Sequence, residues 1–195
     1  MKKEFTDEQK LDVEWTIKHL LEAFGVDTNR EGLKETPHRV MKYWNELLEG
    51  ERYTNDEIAE MYDKCFEDVQ TSDLVIEKDI EIFSHCEHHL ALMYDMKVNI
   101  AYIPNGKVIG LSKMARIAEM VGKRLQLQER IGTDINYIMR KILGTDDVAV
   151  VIEGKHGCMT ARGAKSRTAI TRTACLHGRF ETNTALRSEM YSLLK

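Results

Sequence analysis

Two short stretches bring together residues able to hold a metal ion and to move protons. The first, His85-Cys86-Glu87-His88-His89, packs three of the chain's seven histidines into five positions. The second is His156-Gly157-Cys158. Thiolate and imidazole are preferred zinc ligands, and Cys86 and His89 can bend from one turn onto an ion that Cys158 closes from elsewhere. A structural zinc site with four protein ligands fits the same inventory. It calls for a compact fourth ligand, normally from a paired CxxC or HxxxH, and no such pair stands outside the first cluster, where His85 and His89 are four apart. Three protein ligands with water in the fourth position is the catalytic arrangement. It leaves His88 and His156 beside the metal as acid–base groups suited to neutral pH.

A second group suits an anion. Gly110-Leu-Ser-Lys-Met-Ala-Arg116 reads as a helix start, with Ser112 at the N-cap offering a hydroxyl and unpaired backbone N–H groups. Lys113 and Arg116, three apart, occupy neighbouring positions of the first turn. Arg162, just past Cys158, adds a guanidinium from the metal side. Read singly, these are a capped helix and some solvated cations. As a set, with Lys155, Lys165, Arg167, Arg172 and Arg179 in a stretch poor in acids, they point to an anionic ligand of limited size. Glu129, next to Gln128, reads by itself as a first-turn acid favoured by the helix dipole.

The elements that must position these residues follow from hydrophobic period. Thr6 and Gln9 form a potential capping box, and Leu11, Ile17, Leu20, Leu21 and Phe24 mark one helical face ending at Gly25. Thr36-Pro37 starts a second helix, with Thr at the N-cap and Pro at the first helical position, and Gly50 ends it. A third short helix is predicted over 55–66, and Trp15 and Trp44 are expected in the core. The period then switches to two. Ile80 and Ile82 alternate with acids, as do Val98, Ile100 and Tyr102 with small or polar neighbours. Pro104-Asn105-Gly106 predicts a turn, with 108–110 returning as the hairpin partner. Helices follow from Ser112 and through Ile131, Ile135, Ile138 and Ile142 to Gly144, then strands over 148–153 and 168–180 and a helix over 184–194. The order is α+β with an antiparallel sheet: a helical region over 1–70 and a catalytic domain over 71–195.

Composition narrows the classes. A net charge of −4 gives no global field for nucleic acid. The apolar runs are too short to span a bilayer, and no signal-peptide stretch follows the charged start, so no membrane contact is expected. Four widely spaced cysteines form no disulfide framework, which places the chain in a reducing, cytoplasmic setting.

The sequence resembles the GTP cyclohydrolase I family. The matching segments are EGLKETPHRVMKYW (31–44), FSHCEHHL (83–90), IPNGKVIGLSKMARI (103–117), QLQERI (126–131), and HGCMTARGA with its following TRTA, in family order. The resemblance implies hydrolytic opening of the guanine imidazole ring of GTP. Formate leaves, and 7,8-dihydroneopterin triphosphate forms as the entry to folate and pterin synthesis. It implies Cys86, His89 and Cys158 as ligands of a Zn2+ cofactor, and His88 and His156 as acid–base residues. It also implies Ser112, Lys113, Arg116 and Arg162 as triphosphate holders, and Gln128 with Glu129 as guanine readers. The implied fold is the T-fold, a small sheet that closes into rings. The implied homo-oligomer is two pentamers face to face, with pockets between subunits. Leu125, Gly154-Lys155, His85, Cys175 and His177 depart from the usual pattern, none of them at a presumed ligand or proton-transfer position. Two rivals remain: another T-fold purine or pterin enzyme, and a non-catalytic module stabilised by zinc.

Overall fold

A computed structural model describes residues 5–67 and 72–195. The boundary expected between 70 and 71 lies outside the described residues. Helix α1 (Asp7–Ala23) starts in the expected capping box: the Thr6 side chain accepts from Gln9 N–H, and the Gln9 side chain returns to the Thr6 backbone. It packs on α2 (Thr36–Leu47), and Glu14 Oε1 lies 2.7 Å from His38 Nδ1 between them. No residue of α1 is buried. Leu11, Leu20 and Phe24 are exposed, and Trp15, expected in the core, is 62% exposed and stacks on His19. In α2 the N-cap is Glu35 and helical geometry begins at Thr36, one residue before the predicted start. A 3-10 turn (Glu49–Arg52) and α3 (Asn55–Tyr62) follow, and α3 buries Ile58 and Ala59 in the main core.

The scaffold for chemistry is a five-stranded sheet. In chain order its strands are β2 (Val75–Cys86), β3 (Leu92–Tyr102), β5 (Leu125–Gln126), β6 (Val148–His156) and β7 (Thr171–Leu176). They lie in the spatial order β5-β2-β3-β6-β7, antiparallel except where β5 runs parallel to β2 at His85 and Cys86. The fold is α+β, as expected. Helices α4 (Leu111–Gly122) and α5 (Gln128–Leu143) cover one face. The isoleucine ladder of α5 (Ile131, Ile135, Ile138, Ile142) is buried, and Gly144 ends the helix at φ 63. At the far end of the other face, Phe180 and Met190, from α7 (Arg179–Thr182) and α8 (Thr184–Leu193), pack on Ala101 and Ala149. Bulges in β2 and β3, with Asp79 (φ 59) and Asp95 (φ 50) in left-handed conformation, bend the strands.

Three local expectations are corrected. The two-residue strand β4 (Val108–Ile109) pairs with β1 (Cys65–Phe66), not with β3. The chain has left the sheet by Ile103, whose N–H goes to the Asp147 carbonyl, so the turn cannot fold back on its own strand. Gly110, not Ser112, is the N-cap of α4, and Ser112 sits exposed on the first turn. Strand β7 is shorter than 168–180 because Gly178 (φ 58) turns the chain into α7.

Candidate metal centre and active site

All three sequence-predicted metal ligands converge at one end of the sheet. Cys86 is the last residue of β2. The chain then turns so that Leu90 N–H reaches the Cys86 carbonyl at 2.8 Å and Cys86 N–H reaches the Ala91 carbonyl at 2.9 Å. Leu90 takes a left-handed φ of 53 to close this loop, which swings His89 back over Cys86. Cys158 arrives from the short helix α6 (Gly157–Thr160) after β6, whose His156 pairs with Met93 beside the same loop. A Cβ on Gly157 would sit 2.9 Å from the Leu92 carbonyl, so the strand-to-helix bend needs a residue without one. Ligand atoms of Cys86, His89 and Cys158 lie within 4.8 Å of one another.

These residues suit a metal. Burial pushes the Cys158 thiol up, and the neighbouring Cys86 sulfur adds to the shift. A cation between the sulfurs reverses that penalty, because binding requires the thiolate. Two soft sulfurs and one imidazole match the preference of zinc, and a trio leaves a coordination position open.

Both candidate acid–base histidines flank the trio. His88 is exposed, its ring edge-on to His89 with centroids 6.3 Å apart. His156 is half-buried, and its Nε2 lies 2.9 Å from Gln128 Oε1. Burial pulls the His156 pKa down, while the negative charge of Glu129 opposes that. Glu129 is exposed on the first turn of α5, close enough for His156 to feel its charge. Gln128 is different: it is 1% exposed, and its amide is spent on protein partners. Any contact it makes with a base would therefore come from its backbone, where first-turn N–H groups lack intrahelical partners.

The anion-binding candidates are split. Arg162 is exposed and acts electrostatically on Cys158, so it stands at the metal end. Ser112, Lys113 and Arg116 do not. Helix α4 ends at Gly122, where a Cβ would sit 2.8 Å from the Phe83 carbonyl. Its start lies at the opposite end of the sheet, where Gly110 N–H bonds the Lys64 carbonyl and the Tyr102 phenol meets the Ile109 backbone. At 1.5 Å per residue, Ser112 and Lys113 stand roughly 15 Å from the helix end, and Cys86 lies roughly 10 Å further along β2. Within one chain these cations cannot share a small ligand with the metal trio.

Sequence reasoning missed two supports. His85 is 3% exposed, its Nε2 3.4 Å from the Tyr43 hydroxyl and its ring 5.0 Å from that of Trp44, so α2 braces the residue before Cys86. Arg124 bonds the Gly50 and Tyr53 carbonyls, Asn55 Oδ1 and Asp134 Oδ2, and Gln126 Nε2 also reaches Asp134 Oδ2. This network fixes β5 and the start of α5, hence Gln128 and Glu129. Neither has a local signature, since partners up to 74 positions apart make them.

A family model described as GTP cyclohydrolase I matches residues 13–195. The chain belongs to the GTP cyclohydrolase I family. A protein named GTP cyclohydrolase 1 from Clostridium botulinum (strain Loch Maree / Type A3) is 57% identical over 186 residues, covering 93% of this chain and 95% of its own. Proteins of that name from Clostridium acetobutylicum and Ruminiclostridium cellulolyticum are 55% and 56% identical, each covering 94% of this chain and 96% of their own length. The chain is an enzyme of this type, and its sheet with packed helices is the family's T-fold.

Proposed function

We propose that this GTP cyclohydrolase I works at a zinc centre formed by Cys86, His89 and Cys158, completed in each site by cations from a second copy of the chain. The observation that carries the proposal is the convergence of those three ligand atoms within 4.8 Å from two distant segments. Bound zinc would supply Lewis acidity, readying water for attack on carbon 8 of guanine near neutral pH. The remaining work falls to side chains. Arg162 and, from a neighbouring copy, Ser112, Lys113 and Arg116 hold the triphosphate. Glu129 accepts the paired N–H donors of guanine, with Gln128 beside it. His88 protonates the ring nitrogen adjacent to carbon 8, and His156 moves the proton at the formyl stage. Formate leaves, and the rearranged ribose condenses with the freed amine to give 7,8-dihydroneopterin triphosphate, which feeds tetrahydrofolate synthesis and one-carbon metabolism.

The sheet supports assembly. Among the described residues, strand β7 is an outer edge, and β2 is open from Val75 to Ser84 because β5 pairs with it only at His85 and Cys86. Two different open edges on one sheet favour head-to-tail pairing, which closes into rings. The cationic half of each site is assigned to another copy on the separation within one chain, and two stacked pentamers are the arrangement the family resemblance implies. No described helix is long and apolar enough to cross a membrane. Free thiols at all four cysteines suit a cytoplasmic setting.

The test is to incubate the zinc-loaded protein with GTP and measure formate and pterin fluorescence together. Equal yields of the two products are expected. Formate without pterin, or neither product, would overturn the assignment.

A further inference from the structure

The amide of Gln128 is held in one orientation by its surroundings. Its nitrogen faces three acceptors: the Ile152 carbonyl at 3.2 Å, the Thr171 carbonyl at 3.1 Å and Thr173 Oγ1 at 3.3 Å. A carbonyl oxygen turned that way would face the Ile152 and Thr171 carbonyl oxygens and could keep only the Thr173 hydroxyl as a donor, so the flipped amide is disfavoured. The amide oxygen therefore points at His156, whose Nε2 lies 2.9 Å away. An amide oxygen only accepts, so the imidazole must donate from Nε2. That bond occupies Nε2 and leaves Nδ1, which has no hydrogen bond among the described residues, as the nitrogen free to act.

The backbone around this pair is built for it. Gly154, within β6, lies against Met96 and Gln128: a Cβ there would sit 2.8 Å from Met96 Cγ and 3.5 Å from Gln128 Oε1. The three acceptors come from the last rungs of the β6–β7 ladder, where Ile152 pairs with Thr173 and Gly154 with Thr171. Gln128 thus ties the end of that ladder to the first turn of α5 and presents its one remaining oxygen to His156.

We infer that Gln128 is a positioning residue, which through its side chain fixes the ring orientation and tautomer of His156 so that Nδ1 is the reacting nitrogen. This rests on the reading of His156 as a proton-transfer group. A buried side chain with every polar atom committed inside the protein is a poor reader of a substrate base. It is well suited to hold a neighbour, because its own rotamer is locked.

The spectroscopic test uses zinc-loaded wild-type protein with 15N-labelled histidine rings, at a pH where the ring is neutral. The His156 signals are assigned as those missing from His156→Ala. A protonated, pyrrole-type Nε2 and a bare, pyridine-type Nδ1 are expected; the reverse pattern overturns the inference. The kinetic test is Gln128→Met, which keeps the length of the side chain and removes the acceptor. Positioned proton transfer is worth about 10²–10⁴-fold, and losing the holder forfeits part of it, so kcat should fall about 10–100-fold with KM for GTP within about threefold. Zinc content should be unchanged. A rise in KM at unchanged kcat would instead make the Gln128 side chain a base reader and refute the inference. Thr173→Val, which trims one acceptor without touching His156, should leave kcat within about threefold; a loss matching Gln128→Met would mean ladder packing alone explains the effect. His156→Ala separates the two readings. If it retains turnover, the assignment of His156 falls. If it loses turnover and Gln128→Met does not, only the positioning role falls.

Discussion

If the metal trio and the Ser112–Arg116 cations act together only across copies, two inactive variants should repair each other. One variant is Cys158→Ala, which removes a metal ligand. The other is Lys113→Ala/Arg116→Ala, which removes two cations from the start of α4. Each charge-assisted hydrogen bond is worth about 1.5–3 kcal/mol, so the double variant should lose about 3–6 kcal/mol, or about 10²–10⁴-fold in kcat/KM. Co-expressed at equal levels and purified through two different tags, the variants assemble at random. A site is intact only if the copy giving the metal half carries native Cys158 and the copy giving the cationic half carries native Lys113 and Arg116. Each condition holds with probability one half, so about a quarter of wild-type activity per site is expected. At other mixing ratios the yield should follow the product of the two fractions and peak at equality. The assay is GTP turnover by pterin fluorescence. Activity no higher than the average of the two parents would refute the separation drawn from the length of α4.

Three further outcomes are expected. Cys158→Ala should lose zinc by elemental analysis, whereas His156→Ala should keep it and lose about 10²–10⁴-fold in turnover; metal loss from His156→Ala would make that residue a ligand. Glu129→Gln sets an amide donor against a guanine donor, and a site built for hydrogen bonding rejects unpaired analogues by up to about 10⁴–10⁵-fold, so the GTP/ATP ratio of kcat/KM should narrow with zinc unchanged. An unchanged ratio would leave Glu129 as a helix-start acid. Arg124→Met strands Asp134 in a mostly buried position and should lower unfolding free energy in urea by about 3–5 kcal/mol, and a loss under 1 kcal/mol would show that the network is slack.

Much of the site was legible because its chemistry sits in short segments. Cys86 and His89 are three apart, His156 and Cys158 two apart, and strand ends deliver both pairs. The α5 ladder and the Thr6 and Thr54 caps are equally local signals, although only the first of those caps was read. What failed was non-local. Ser112 resembles an N-cap, but Lys113 N–H takes the Gly110 carbonyl, so the helix starts before the hydroxyl is needed. Strand β4 reads as pairing with its sequence neighbour, while its true partner is β1, at Cys65↔Ile109 and Phe66↔Val108, far earlier in the chain. Trp15 sits on a helical face, but period shows which residues share a face and not what covers it. The side chain of Gln128, which the family resemblance pairs with Glu129 at guanine, turns to Ile152, Thr171 and Thr173. Successive helix residues point about 100° apart, so Glu129 faces out where Gln128 faces the sheet.

The central claim is that the Cys86, His89 and Cys158 cluster binds catalytic zinc. The direct measurement is to strip metal with a chelator, then titrate zinc back while following GTP turnover and far-UV circular dichroism together. The account predicts a folded, inactive apo-protein whose turnover rises linearly and levels off at one zinc per chain. Turnover that survives removal of all metal would contradict it, as would a chain that unfolds when zinc leaves and regains only structure when zinc returns.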